Sequence, residues 1–194
     1  MAVEYEATFL DIDKNEIRGR LEKAGARIVK PEFMQKRFVF SLPKGQEIKG
    51  GWLRVRDEGD RTTMSLKVVD GEKIEDQKEI CLVINDFKTG KEFLESIGCQ
   101  KKSYQETKRE IWDLDGVEVC IDEWPFLEPY VEVEGKSEED VKRVSEKLGF
   151  DYSKAWFCSV GKIYNNKYGV PVEIINSGIP EITFDIENPF LKIK

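Results

Sequence analysis

Val3-Glu4-Tyr5-Glu6-Ala7-Thr8-Phe9 alternates without a break: Val3, Tyr5, Ala7 and Phe9 fall on one face, Glu4, Glu6 and Thr8 on the other. A period of two predicts a half-buried β-strand with two carboxylates on one side. The same design returns downstream. Trp52-Leu53-Arg54-Val55-Arg56 alternates, and in Thr62–Val69 the side chains of Met64, Leu66 and Val68 oppose Ser65 and Lys67. In Val117–Glu123, Val117, Val119 and Ile121 oppose Glu118, Cys120 and Asp122; in Tyr130–Glu134, Val131 and Val133 oppose Glu132 and Glu134.

A sheet face turned to water usually mixes small polar residues with Lys. These faces instead carry like charges two residues apart, as in Glu4/Glu6, Arg54/Arg56 and Glu132/Glu134. Such pairs repel unless something of opposite sign lies between them. The charged faces are therefore expected to look inward, into a polar barrel. Residues 33–41, Gln77–Ile84 with Glu79, and a long stretch from Cys99 to Leu114 with Lys108 and Arg109 supply the remaining strands.

Between them the pattern changes to helical spacing. Asp13 opens a helix carrying Ile17, Leu21 and Ala24 and stopped by Gly25; a second runs from about Asp86 to Gly98, and a third from Ser137 to Gly149. A short fourth helix is expected over 153–165. The order is β-α-β-β-β twice, which suggests a duplication: Leu21-Glu22-Lys23-Ala24-Gly25-Ala26 resembles Leu94-Glu95-Ser96-Ile97-Gly98-Cys99, and Lys36-Arg37 resembles Lys108-Arg109 downstream. The expected fold is α+β, an eight-stranded antiparallel β-barrel or tunnel from two pseudo-repeated halves with helices packed outside. Residues 1–165 would form it, and 166–194, with Pro171, Pro180 and Pro189, a tail packing on the barrel or partly irregular.

The halves differ in sign. The first brings Arg37, Arg54, Arg56 and Lys67; the last two strands of the second bring Glu118, Asp122, Glu132 and Glu134. Leaving such groups buried and unpaired costs several kcal/mol apiece, so the interior must hold compensating charge. Carboxylates suit a hard divalent cation, and Arg and Lys suit phosphate oxygens. A metal with a polyphosphate satisfies both walls.

Composition narrows the chemistry. The chain has 194 residues, 40% hydrophobic and 36% charged, with a net charge of −7. That balance disfavours general nucleic-acid binding, which wants a basic surface. No stretch reads as a membrane span or a signal peptide, so a cytoplasmic protein is expected. There is no histidine, and Cys81, Cys99, Cys120 and Cys158 are scattered; this argues against Cys/His zinc sites and Ser-His or Cys-His nucleophiles, and for reduced cysteines. Trp52, Trp112, Trp124, Phe126, Trp156 and Phe157 are expected to pack strands against helices, and Lys101-Lys102 to be solvated surface.

Over roughly Val3 to Ile163 the sequence resembles the CYTH domain, or triphosphate tunnel metalloenzymes. Glu4-Tyr5-Glu6-Ala7-Thr8 matches the ExExK strand, Leu53-Arg54-Val55-Arg56 the LRxR strand, Ser65-Leu66-Lys67 the TxK strand and Glu132-Val133-Glu134 the ExE strand, with Glu79, Arg109 and Asp122-Glu123 between. The resemblance implies a tunnel binding a small-molecule triphosphate with Mg²⁺ or Mn²⁺, in a monomer or homodimer. It further implies metal-dependent hydrolysis of a nucleoside, thiamine or inorganic triphosphate. In that reading Glu4 and Glu6 are catalytic, Glu4, Glu6, Asp122, Glu132 and Glu134 hold the metal, and Arg37, Arg54, Arg56, Lys67 and Arg109 bind substrate. The alternatives are a class IV adenylyl cyclase making cyclic AMP and pyrophosphate from ATP, and a non-catalytic nucleotide or polyphosphate binder. One departure stands out: the lysine of ExExK is Thr8 here, so the protein either binds with fewer cations or moves that role to Lys36 or Arg37.

Overall fold

A computed structural model describes residues 1–193 of the chain. Its strands are β1 (Ala2–Val3), β2 (Tyr5–Phe9), β3 (Arg27–Ser41), β4 (Gly51–Asp57), β5 (Thr62–Val69), β6 (Gln77–Ile84), β7 (Gln100–Leu114), β8 (Val117–Glu123), β9 (Tyr130–Gly135) and β10 (Glu181–Ile182). The helices are α1 (Lys14–Ala24), α2 (Phe87–Ser96), α3 (Glu138–Lys147), α4 (Val160–Tyr168) and α5 (Val172–Gly178). No helix among the described residues is long and apolar enough to cross a membrane.

The strands run β1-β6-β5-β4-β3-β7-β8-β9-β2 around one sheet, all antiparallel neighbours. Its two ends are consecutive in sequence. The opening strand pairs with β6 through Ala2 and Val3, then with β9 from Tyr5 to Phe9. It changes partner at Glu4, whose N–H donates to the Gln77 carbonyl at 2.9 Å, while the Gln77 side chain donates to the Glu6 carbonyl at 2.8 Å. With β1 and β2 taken as one strand the sheet closes on itself as the expected eight-stranded barrel. The two-residue β10 is an addition. It runs parallel to β7 at Tyr104 and Gln105, where β8 no longer reaches.

The barrel is built with its apolar face outward. Ala7, Phe9, Val119, Ile121, Val131 and Val133 pack against Ile17 and Leu21 of α1 and Val141, Val144 and Leu148 at α3. On the other flank Leu53, Val55 and Met64 meet Phe87 and Leu94 of α2. At ~1.5–3 kcal/mol for each fully buried aliphatic or aromatic side chain, these clusters are the main source of stability. A third cluster joins Trp124 and Tyr130 to Ile163 and Tyr164 of α4, Ile175 of α5, Ile182 and Phe190. Burying the hydrophobic faces outside leaves the charged faces no place but the interior.

Two local expectations need correction. The third strand begins at Arg27, not near residue 33, because Arg27 and Ile28 already pair with Asp113 and Trp112 of β7. The short fourth helix is displaced: a single 3-10 turn covers Tyr152–Lys154, and α4 starts only at Val160. Between them Trp156 lies against Thr8 as an antiparallel β-bridge, exchanging hydrogen bonds of 2.9 Å in both directions. Backbone committed to a strand cannot also close a helical turn.

Candidate functional site

The barrel encloses a cavity of about 840 Å³. Alternation along each strand decides who lines it. Glu4 and Glu6 come from the opening strand, Arg37 from β3, Arg54 and Arg56 from β4, Lys67 from β5, Glu79 from β6, Arg109 from β7, and Glu132 and Glu134 from β9. Nine of the ten residues singled out in the sequence therefore share one wall-to-wall space. The tenth, Asp122, is buried behind Arg109. Of Lys36 and Arg37, offered as substitutes for the missing lysine, Arg37 faces in and Lys36 is exposed outside.

The charges are sorted into sets. Lys67 Nζ lies 2.9 and 2.8 Å from the two Glu4 oxygens. Arg54 donates to Glu79 at 3.1 Å, and Arg56 to Glu58 at 2.9 Å. Arg109 grips both Asp122 oxygens, at 2.8 and 2.5 Å, and also donates to Glu132. Arg37 has no carboxylate partner among the described residues; it donates to Gln35 at 3.0 Å and to Thr107, with its guanidinium 4.5 Å from the centre of the Trp124 ring. The Nε atoms of Arg37 and Arg54 are buried without a hydrogen-bond partner among the described residues.

Titration follows from this sorting. Burial, then the neighbouring Glu132, pushes the Glu6 carboxyl well above the usual range. Burial and Glu4 push Glu134 up to about 7, and burial raises Glu4 against the pull of Lys67. Glu79 goes the other way, to about 2, because Lys67 and Arg54 outweigh its burial. Burial together with the surrounding guanidiniums drives Arg37 well down and takes Arg54 to about 10.

One carboxylate group stands apart. Glu4, Glu6 and Glu134 each place an oxygen within 4.8 Å of the others. Glu6 and Glu134 accept no side-chain hydrogen bond from the described residues, and burial first, then neighbouring negative charge, lifts both above ordinary carboxylates. Three converging hard oxygen donors of this kind fit a divalent cation such as Mg²⁺ or Mn²⁺. Asp122 and Glu132, expected in the same set, are held by Arg109 instead.

Four features of the site were not legible beforehand. Glu58, which reads as a turn residue, is 3% exposed and anchors Arg56. Trp52, Trp124 and Phe157, read as outer packing, line the cavity. The start of α4, Ser159 to Lys162, reaches the cavity from outside the alternating strands. Lys102, read as solvated surface, also faces in. Among these, Trp52 had a signal in sequence: it stands two residues before Arg54 in the alternation and so shares the face of Arg54 and Arg56.

A closed antiparallel barrel with acidic and basic walls facing each other over one cavity defines the class, and the sequence agrees. Residues 2–160 match the family model of the CYTH domain, and the chain belongs to that family. A conserved hypothetical protein from Pyrococcus furiosus superimposes with a TM-score of 0.65 at 20% identity, covering 78% of this chain and 94% of its own. A candidate adenylate cyclase from Vibrio parahaemolyticus gives 0.71 at 11% identity, covering 83% and 97%. A candidate adenylyl cyclase from Hippeastrum that has a dominant triphosphatase activity gives 0.59 at 15%, covering 88% and 99%. At these identities the likeness is one of fold. No curated protein matches the chain.

Proposed function

We propose that the protein hydrolyses a triphosphate-bearing compound with the help of Mg²⁺ or Mn²⁺ held by Glu4, Glu6 and Glu134. The observation that carries this reading is the juxtaposition in one 840 Å³ cavity of that carboxylate trio and the cations Arg37, Arg54, Arg56, Lys67 and Arg109. When bound, the cation supplies charge neutralisation on phosphoryl oxygens.

The chain's own residues do the rest. Arg54, Arg56 and Arg109 are held in place by carboxylates on one side, which leaves remaining N–H groups for phosphate oxygens in forked geometry. Lys67, whose proton is kept by Glu6 and Glu4 despite burial, adds a point charge. Glu6, free of protein donors, orients a water toward the terminal phosphorus and can take its proton. An O–P bond forms to water, the bridging P–O bond breaks, and the diphosphate leaves with its charge spread over the arginines. Fixed charges in a low-dielectric cavity need little reorganisation as the transition state develops, which is where most of the acceleration arises.

The same walls would also serve cyclisation of ATP, and Thr8 in place of a lysine also suits a binder without turnover. Incubation with ATP, thiamine triphosphate and tripolyphosphate, each with Mg²⁺ or Mn²⁺, separates the three. Phosphate release that chelation abolishes, and that Glu6→Gln lowers by two or more orders of magnitude, is the expected result. Cyclic AMP with pyrophosphate, or tight calorimetric binding with no product over hours, would replace hydrolysis by one of the rivals.

A further inference from the structure

Only one side of β6 is paired along its whole length. There β5 matches it residue for residue from Gln77 to Ile84, without a bulge. On the other side β1 reaches only Lys78 and Glu79, and the seam then passes to β2 and β9. The edge from Ile80 to Ile84 has no ladder partner among the described residues. Its sequence is Ile80-Cys81-Leu82-Val83-Ile84, apolar throughout. Exposed edges are ordinarily blunted by a charge, a proline or a bulge, and this one carries none of them. The Gln77 carbonyl accepts from the Glu4 N–H on this same side. In an antiparallel ladder the odd-numbered residues of β6 therefore aim their N–H and C=O groups across the edge, and the even-numbered ones toward β5. Ala2 meets Glu79, which leaves the backbone groups of Cys81 and Val83.

An antiparallel copy of the same strand completes that edge in a single register. A two-fold axis at Leu82 sets Cys81 of each copy against Val83 of the other, and these are hydrogen-bonded pairs, so every free group of both residues is used. An axis at Cys81 would put Val83 against Glu79, already taken by Ala2. An axis at Val83 would put Cys81 against Asn85, beyond the end of the strand. The side chains agree with the backbone. Ile80, Leu82 and Ile84 share the outer face, and α2 lies beside them because Gly90 packs directly on Ile84. Phe93 and Ile97, three and seven residues on, follow Gly90 along that side of the helix. Ile80, Leu82, Val83, Phe93 and Ile97 are between 46% and 72% exposed. Together they present roughly 500 Å² of apolar surface, near the top of the range for a monomer. A homodimer interface of standard size needs a similar amount, about two-thirds of some 800 Å² per partner.

We propose that the free edge of β6 is a docking surface for a second copy of this chain: two barrels join β6 to β6 about an axis at Leu82, with Phe93 and Ile97 of both copies flanking the seam. The inference is independent of the reaction inside the barrel. Light scattering after gel filtration should give the wild type twice the 22.5 kDa of the chain at micromolar concentration. Leu82→Lys sets like charges face to face across the axis and should raise the dissociation constant about a hundredfold or more, with the circular dichroism spectrum unchanged. A second variant fixes the register. In a Cys81→Ser background, Leu82→Cys places two thiols at a non-hydrogen-bonded pair about 4.5 Å apart at Cα, within disulfide reach, so diamide should link the two chains. Ile80→Cys in the same background faces Ile84 of the second copy and should not link. A monomer at every concentration overturns the proposal and leaves the edge to a strand from a different partner. A dimer that survives Leu82→Lys, or Ile80→Cys linking as readily as Leu82→Cys, overturns the assignment to this edge. A mass that grows past the dimer with concentration overturns the closed two-fold in favour of open association.

Discussion

Glu58 shows how a buried carboxylate is kept charged here. Its two oxygens take donors from Arg56 at 2.9 Å, Arg61 at 2.8 Å and Thr63 at 3.2 Å. Burial alone would raise its pKa, yet Arg56 and Arg61 outweigh that and bring it to about 2. The folded value thus lies below the unfolded one, so this stabilisation is complete above the unfolded pKa of about 4.3 and is lost as pH falls toward 2. The shift corresponds to roughly 3 kcal/mol at most, less a discount for the exposed Arg61. Urea unfolding of wild type and Glu58→Gln between pH 7 and pH 2.5 should give curves that converge in acid; a constant gap would disprove the assignment. In sequence Glu58 marks only a turn, because its value depends on Arg56 and Thr63 folding back over it. Lys102 was hidden for a related reason: period-two counting has no way to register a bulge set by the neighbouring strand. Glu4, Glu6, Arg54, Arg56, Glu132 and Glu134 were legible because each sits in an unbroken alternation.

At the scale of elements, α2 owes its position to a missing side chain. A Cβ on Gly90 would lie 2.4 Å from Ile84 Cδ1 and 3.0 Å from Val55 Cγ1. The helix therefore approaches β4 more closely than any larger residue permits. Gly90→Leu should destabilise by about 1–3 kcal/mol through overpacking, in spite of about 1 kcal/mol of improved helix propensity. Chemical denaturation measures the balance, and a gain in stability would show that α2 can retreat freely. Strands and helices were readable wherever period and caps agreed: Thr62–Val69, Gln77–Ile84 and Val117–Glu123 have the expected limits, and Asp13, Asp86 and Ser137 cap their helices. The region after Gly149 was not, since the strand-like pairing of Trp156 with Thr8 joins residues 148 apart in sequence and leaves no local period.

At the scale of the whole molecule, residues after α4 share an apolar cluster with the barrel. Val170, Ile175, Ile179, Ile182 and Phe190 are each no more than 3% exposed, and Phe190 stacks on Tyr164 at 4.3 Å and on Tyr168 at 5.0 Å. Tyr164 in turn donates to the Pro125 carbonyl at 2.7 Å, next to Trp124, which lies over Arg37. We propose that this segment is part of the structural unit that holds the cavity. A chain ending at Tyr168 should lose several °C in thermal midpoint and become sensitive to thermolysin near Trp124. An unchanged midpoint would make the segment an independent appendage.

The split pairing of the first strand also governs the order in which the molecule can be completed. Residues 2–9 leave the ribosome before any of their ladder partners exist: β6 follows some seventy residues later, and β9 only with residues 130–135. Until then Glu4 and Glu6 have neither Lys67 nor Glu134 beside them, and the nascent ribbon must stay unpaired in water, which its two carboxylates make tolerable. Joining the seam closes a loop of well over a hundred residues, a late and entropically slow event. The complete cavity would then arrive in a single final step, with no half-assembled site along the way.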